Sequence, residues 1–291
     1  MKQRIWVTGA SGQLGMELQK LSQSHNRFEF VFSTRDQFPL DDPDTIRQII
    51  NTEKPAYFIN GAAYTAVDKA ESEKELAYRI NAEAPGLIAR ACRESGTRLI
   101  HISTDYVFSG QGNGTYKETD VTDPVNYYGE SKRDGEIGVL QNNPDAIIIR
   151  TSWVYSEYGK NFVKTMLRLM KERDQVGVVN DQTGTPTYAA DLAEAILEII
   201  TRTETGDASW IPGLYHFSNE GVITWYEFAS AIKEISGSSA QINPIPTSSY
   251  PLPARRPAWS VLDKSLIQEV YGIRLKDWRK SLITCLDQIG K

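Results

Sequence analysis

The stretch Arg4–Ala10, RIWVTGA, is a short apolar run that breaks at glycine, and the residues after it carry Leu14, Leu18 and Leu21 at helical spacing. A strand that turns through glycines straight into a helix leaves the chain few choices. Gly9, Gly12 and Gly15 fall at the turn and at the mouth of the helix. There the missing side chains allow a tight turn and close backbone approach, while the first N–H groups of the helix and its positive dipole end suit a diphosphate. The Gly-x-x-Gly-x-x-Gly spacing differs by one residue from the usual dinucleotide fingerprint and lacks the lysine of a P-loop. Its strand–turn–helix setting is what gives it meaning.

The rest of the N-terminal half repeats that alternation. FEFVFST, AYFINGAA, TRLIHISTDYVF and AIIIRTSWVY read as strands, with DPDTIRQIINTEK, SEKELAYRINAEAPGLIARACRES and the segment around NYYGESK as the helices between them. Short apolar strands alternating with amphipathic helices specify an α/β protein, a parallel sheet covered on both faces, and right-handed crossovers make it a doubly wound, Rossmann-type sheet. Beyond about residue 155 the pattern loosens. The expected division is a dinucleotide-binding domain over 1–152 with a returning segment at about 176–201. A smaller C-terminal substrate lobe then takes 153–175 and 202–291. The Pro-rich PIPTSSYPLPARRPAWSVLD, with Arg255, Arg256 and Trp259, reads as an ordered binding loop rather than a linker.

In such a sheet, ligands gather beyond the carboxyl ends of the strands. The second strand ends in Thr34 and Arg35, where an Asp would normally select NAD. Arg35 can pair with a 2′-phosphate, which favours NADPH and leaves NADH usable, since Asp36 is adjacent. At the end of the fourth strand Ser103, Thr104 and Asp105 face the same cleft. The helix after it holds two adjacent tyrosines, of which Tyr128 is four residues from Lys132 and shares its face. A phenol beside an ammonium is a plausible proton donor. With 14 tyrosines in the chain the spacing alone is a common coincidence, and its context must carry it.

Composition excludes other classes. A net charge of −5 argues against a nucleic-acid surface, no apolar run is long enough for a membrane span, and no secretory leader is read at the N-terminus. Cys92 and Cys285 form no C-x-x-C, so a reduced, cytoplasmic protein with no cysteine-based metal site is expected. His101, in the apolar LIHIS strand, reads as a core residue. Asp68 and Glu71 read as helix-capping and helix-lining groups.

Taken together, GQLG, AAYTAVDKAE, STDYVF, YYGESK, RTSWVY, NFVKTM, DQTGTPTY and RRPAWSVLD run in order through nearly the whole chain. They resemble the extended short-chain dehydrogenase/reductase family and, within it, the dTDP-4-dehydrorhamnose reductases. The resemblance implies NADPH-dependent reduction of the C4 ketone of a nucleotide-linked 6-deoxy-4-keto sugar to dTDP-L-rhamnose, for polysaccharide synthesis. Tyr128 would donate the proton, Lys132 would lower the Tyr128 pKa and hold the nicotinamide ribose, and Thr104 would orient the ketone. Gly9, Ser11, Gly12, Gln13, Leu14, Gly15, Arg35, Ala62, Ala63 and Tyr64 would bind the cofactor with Tyr128 and Lys132. Thr65, Val67, Asp105, Tyr106 and Trp153 would line the sugar pocket, and Asn161, Phe162, Trp225 and Arg256 the nucleotide diphosphate half. Arg255 serves equally well from charge alone.

Departures from the resemblance mark the alternatives. Hydride on the other face of the ketone would give a 6-deoxy-talose. A dehydratase of the same family would have Glu after Asp105, where this chain has Tyr106. A non-catalytic regulatory subunit would not need Thr104, Tyr128 and Lys132 together. Some relatives hold Mg2+ with acidic side chains at a dimer contact. Glu17 fits one such position, but Ala190 stands at another, so no metal site is expected and a monomer is as well supported as a homodimer.

Overall fold

The structure is a computed structural model that describes residues 2–290. The first strand β1 (Gln3–Thr8) enters helix α1 (Gln13–Ser22), and β2 (Phe28–Ser33), α2 (Pro43–Glu53) and β3 (Tyr57–Asn60) follow. Short α3 (Val67–Ala70) and α4 (Lys74–Tyr78) lead through a π-helical turn at Arg79–Glu83 into α5 (Ala84–Ser95). Next come β4 (Arg98–Thr104), a 3-10 turn at Asp105–Val107, α6 (Tyr127–Asn142) and β5 (Ile147–Thr151).

Alternate residues of each strand reach opposite faces, as a sheet buried on both sides requires. Ile5, Val7, Ile59, Ile147 and Ile149 pack with Leu14 and Leu18 of α1, while Trp6, Phe58 and Ile148 pack with Ile46, Ile50, Ile88 and Val139 of α2, α5 and α6.

The lobe is assembled from smaller pieces: β6 (Val154–Tyr155), α7 (Phe162–Glu172), β7 (Gln175–Val179), β8 (Thr183–Gly184) and β9 (Thr187–Tyr188). Helix α8 (Ala189–Thr205) and β10 (Gly213–His216) return to the large sheet. Finally β11 (Ile223–Thr224), α9 (Trp225–Ser236), β12 (Gln241–Ile245), α10 (Ser265–Tyr271) and α11 (Trp278–Ile289) complete the chain.

The large sheet is six-stranded and parallel, ordered β2-β1-β3-β4-β5-β10. Strand order reverses between β1 and β3, so the ligand crevice opens there. Two segments sit differently from the sequence division. Strand β7, expected to return to the dinucleotide domain, pairs with β12 and packs among α7, α9 and α11 in the lobe. In the other direction β10, expected in the lobe, is the sixth strand of the large sheet, and Ile267 and Tyr271 of α10 join its core. Each apolar run marks a strand, but the partner is chosen by which hydrophobic face remains uncovered, and sequence order does not carry that.

Candidate active site

The glycine turn is built for close approach. Gly9 has φ +74, and a Cβ on Gly15 would stand 2.3 Å from the Gly9 carbonyl oxygen, so α1 starts in direct contact with the turn. Helices α2, α6, α7, α9 and α11 each begin with a side-chain cap, from Asp42, Asn126, Asn161, Thr224 and Asp277. Helix α1 has none, as α3, α4, α5, α8 and α10 have none, and it also lacks an acidic residue in its first turn and opens directly off the glycine turn. Uncapped and preceded by a turn that only glycine can make, its leading N–H groups fit a dinucleotide diphosphate.

The expected cofactor residues surround this turn. Ser11 is exposed beside it, and the Gln13 side chain accepts from Asn161 Nδ2 at 2.8 Å, joining the turn to the lobe. Ala62 and Ala63 follow β3, with Ala62 N–H donating to Thr8 Oγ1 at 3.3 Å. Asn81, in the π-helical turn, grips both the N–H and the C=O of Tyr64, at 2.8 and 3.0 Å. Arg35 leaves 72% of its side chain in solvent, with only Asp41 in range at 4.0 Å, so its guanidinium is available to a ribose phosphate.

Tyr128 owes its position to the start of α6. Asn126 caps the helix through Gly129 N–H (2.8 Å) and donates to the Arg255 carbonyl (2.7 Å), while Glu71 accepts from Tyr127 N–H (2.9 Å). A Cβ on Gly129 would lie 2.1 Å from the Tyr106 carbonyl oxygen, so helix and 3-10 turn abut. Tyr127 points away, its ring under Lys74 at 4.9 Å, whereas the Tyr128 ring meets Tyr106 edge-on at 5.6 Å. Burial pushes the Tyr128 phenol up to about 12, with the Thr104 hydroxyl opposing and Asp105 reinforcing the rise.

Lys132 is not among the groups that shift the Tyr128 phenol, because its amine is turned elsewhere. Lys132 is 2% exposed, and its Nζ is turned to the Ile102 carbonyl (2.8 Å) and to His101 Nε2 (3.4 Å). Burial brings the amine down to about 8, Glu136 holding it up. Glu136 is itself committed, in a bidentate pair with buried Arg150 at 2.8 and 2.7 Å and to Ser103 at 2.5 Å.

Asp105 lies beside this pair. Thr104 caps the 3-10 turn and donates to Asp105 Oδ1 at 3.1 Å, while the buried Oδ2 has no hydrogen bond among the described residues. Burial raises this carboxyl to about 6, the nearby Ser260 and Thr104 hydroxyls pulling the other way. An unpaired buried carboxylate oxygen is costly and marks a place where a ligand hydroxyl would fit.

Across the cleft, Trp153 takes a positive φ of 48 and stacks on Trp225 at 3.6 Å, with Phe162 4.5 Å from Trp225. A bulky residue in that conformation is strained and is held there by its surroundings. Thr65 is exposed on the loop before α3, and Val67 begins that helix. Two expected ligands are otherwise engaged. Asn161 caps α7 and donates to Gln13 and to Ser156 O, and Arg256 forms a bidentate pair with Asp68. Sequence reasoning does not connect His101 and Asp68 to this site, because their partners Lys132 and Arg256 are 31 and 188 positions away, while Glu71 supports a helix as expected, through the backbone N–H of Tyr127.

The fold and this constellation define an oxidoreductase of the extended short-chain dehydrogenase/reductase class. The chain belongs to the RmlD substrate binding domain family, matched over residues 3–290. It is 42% identical over 285 residues to a dTDP-4-dehydrorhamnose reductase of Aggregatibacter actinomycetemcomitans, covering 96% of this chain and 97% of the relative. Among solved structures, a dTDP-4-dehydrorhamnose reductase of Clostridium acetobutylicum superposes with a TM-score of 0.93 at 37% identity, over 99% of this chain and 100% of that one. The Bacillus anthracis enzyme of the same name, in complex with NADP, gives 0.93 at 36% identity over the same shares. No helix among the described residues is long and apolar enough to cross a membrane.

Proposed function

We propose that this chain reduces dTDP-4-dehydrorhamnose at C4 to dTDP-L-rhamnose with NADPH, as a cytoplasmic enzyme of polysaccharide synthesis. One observation carries the reading. Tyr128, Thr104 and the unpartnered Oδ2 of Asp105 converge beyond the end of β4, in the sheet whose crevice holds the uncapped start of α1. NADPH, when bound, supplies the hydride.

The chain's own groups do the rest. The Tyr128 phenol keeps its proton through neutral pH, since burial holds its pKa at about 12, and gives it to the alkoxide oxygen as that charge develops. Thr104 donates to the same oxygen and orients it. Lys132 holds the nicotinamide ribose, and its charge, where present, favours phenolate after proton transfer. Asp105 accepts from a sugar hydroxyl, Tyr106, Val67, Thr65 and Trp153 close around the ring, and Phe162 and Trp225 receive the nucleotide half. Arg256 reaches the diphosphate by exchanging the Asp68 carboxylate for it, two anions of similar bite. We assign Asn161 an indirect role, holding Gln13 and α7 in place.

No metal enters this reading. Glu17 is buried and bonded by Ser156 at 2.7 Å, and burial, with Glu157 beside it, raises it to about 8.

The test follows NADPH oxidation at 340 nm with the keto sugar generated in situ, and identifies the product by NMR. Tyr128→Phe should lower turnover by about 10²–10⁴-fold with NADPH affinity intact. Unreduced activity in that variant would remove Tyr128 from its role, and a talose product would change the sugar pose alone.

A further inference from the structure

We propose that His101 is a positioning residue for Lys132. Backed by Asn60 and Thr8, it meets the amine with an acceptor or a donor according to the amine's own protonation, and so sets where the reaction fails at high pH. The inference rests on the role given to Lys132 above.

The geometry is a buried line of four side chains. Lys132 Nζ stands 3.4 Å from His101 Nε2, and His101 Nδ1 is 3.0 Å from the Asn60 amide. The other end of that amide is 2.8 Å from Thr8 Oγ1, which accepts from Ala62 N–H at 3.3 Å. His101, Asn60 and Thr8 are at most 1% exposed, so none of them can exchange a partner for bulk water. The line begins at the catalytic amine and ends at Thr8, the residue before the glycine turn.

Donor counting makes this line a two-state element. A neutral imidazole has one N–H and one lone pair. When Lys132 is charged, Nζ is a pure donor and Nε2 must be the lone pair. The proton then sits on Nδ1, the Asn60 amide turns its oxygen to His101, and its nitrogen donates to Thr8. When Lys132 is neutral, Nε2–H can donate to Nζ, the amide nitrogen donates to Nδ1, and Thr8 donates to the amide oxygen. Between the two states the Asn60 amide turns over by about 180°, exchanging its oxygen and nitrogen, while the other side chains of the line keep their places. Burial and the charge of Lys132 keep His101 itself from protonating, so it has only these two neutral forms.

The other groups around Lys132 do not supply an alternative. Glu136, one turn along α6, is held by Arg150 of β5, and His216 of β10, beyond Arg150, is kept neutral by burial, at about 3. Asp105 and Tyr128 lie on the cleft side, and neither hydrogen-bonds Nζ among the described residues. Only Ile102 O and His101 do.

Two measurements test this on the full chain. The sequence has three histidines, so ring 15N spectra of labelled protein between pH 6 and 10 can be assigned by single substitutions at His25 and His216. His101 should change from the Nδ1–H to the Nε2–H form in step with the alkaline limb of kcat/KM. Replacing His101 with Leu removes one hydrogen bond to a charged group and should move that limb down by about one pH unit, lowering kcat more than it changes KM. His101→Gln places an amide oxygen near the Nε2 position and should restore the limb. A single tautomer across the whole range overturns the proposal, as does a limb that stays in place in the Leu variant. If the Leu variant does not fold, the wild-type spectra and the Gln profile decide. The spectra need no substrate, so a tautomer switch in a chain without reductase activity would refute the catalytic reading and leave standing only the two-state contact between His101 and Lys132.

Discussion

Replacing Asp105 with Asn should make the protein more stable and a worse enzyme. The carboxyl is 2% exposed, with one oxygen unpaired, and its pKa rises from the ordinary 3.8 to about 6. A carboxyl with a raised folded pKa holds its proton more tightly in the folded chain than in the unfolded one. Its cost to folding is therefore complete above pH 6 and fades as pH falls toward 4. A rise of about two pH units, at 1.36 kcal/mol each, corresponds to about 3 kcal/mol. Asn keeps the shape and removes the charge. For a chain of this size such a gain raises Tm by roughly 5 °C, less whatever the new amide N–H loses if it finds no acceptor.

The assay is thermal unfolding of both proteins from pH 4 to 8. The Tm difference should be largest at pH 7 and above and nearly vanish by pH 4, where the wild-type carboxyl has taken up its proton. In parallel, kcat/KM should fall about 10–100-fold through loss of a charge-assisted bond to the sugar, with NADPH affinity unchanged. A variant less stable than wild type at pH 7.5, or a Tm difference that ignores pH, would refute the reasoning. Either result would mean that the Ser260 hydroxyl beside Asp105 satisfies Oδ2 in solution.

Three further outcomes follow from the same site. Gly15→Ala puts a methyl 2.3 Å from the Gly9 carbonyl oxygen, so α1 must shift; NADPH Kd measured by fluorescence should rise by at least about 10-fold, with a lower Tm. Arg35→Ala removes the free guanidinium at the ribose end, and steady-state kinetics should show about a 10-fold rise in KM for NADPH with little change for NADH. Lys132→Met abolishes turnover yet should raise folding stability at pH 7 by roughly 1–3 kcal/mol, read as a higher Tm. The amine's folded pKa is depressed to about 8, so that gain is full below pH 8 and disappears as pH climbs toward 10.5.

The legible parts of this chain are those governed by local rules. The helix from Lys74 to Ser95 was readable from its periodicity, and the glycine turn from its setting between β1 and α1. Tyr128 and Lys132 were readable as a pair because helical spacing is itself a geometric statement. What could not be read depends on long-range choice. That β7 pairs with β12 and not with the large sheet is decided by packing against α7 and α9. His101 looks like any polar residue in an apolar strand until β3 brings Asn60 to one side and α6 brings Lys132 to the other. The Asp68–Arg256 pair spans 188 positions, and neither residue names the other.

The placement of Tyr128 shows how those long-range contacts become function. Its helix is fixed at the N-terminus by Asn126 reaching the Arg255 carbonyl, by Glu71 holding Tyr127 N–H, and by the contact of Gly129 with Tyr106. These three come from the lobe, from the segment after α3, and from the end of β4. The first two are hydrogen bonds worth about 1 kcal/mol each, small against the whole fold but large enough to decide the rotation of one helical turn. The Pro-rich loop that carries Arg255 also carries Arg256 and Trp259, whose Nε1 donates to Gly114 O at 2.7 Å. One ordered loop therefore carries both Arg256, proposed above for the diphosphate, and the carbonyl that holds the first turn of α6. The packing of this loop and the rotation of the first turn of α6 are thus joined through Asn126. The proposed acid thus stands on a helix whose first turn is fixed from three sides, while Arg256, the proposed diphosphate contact, stands on the loop that supplies one of those three contacts.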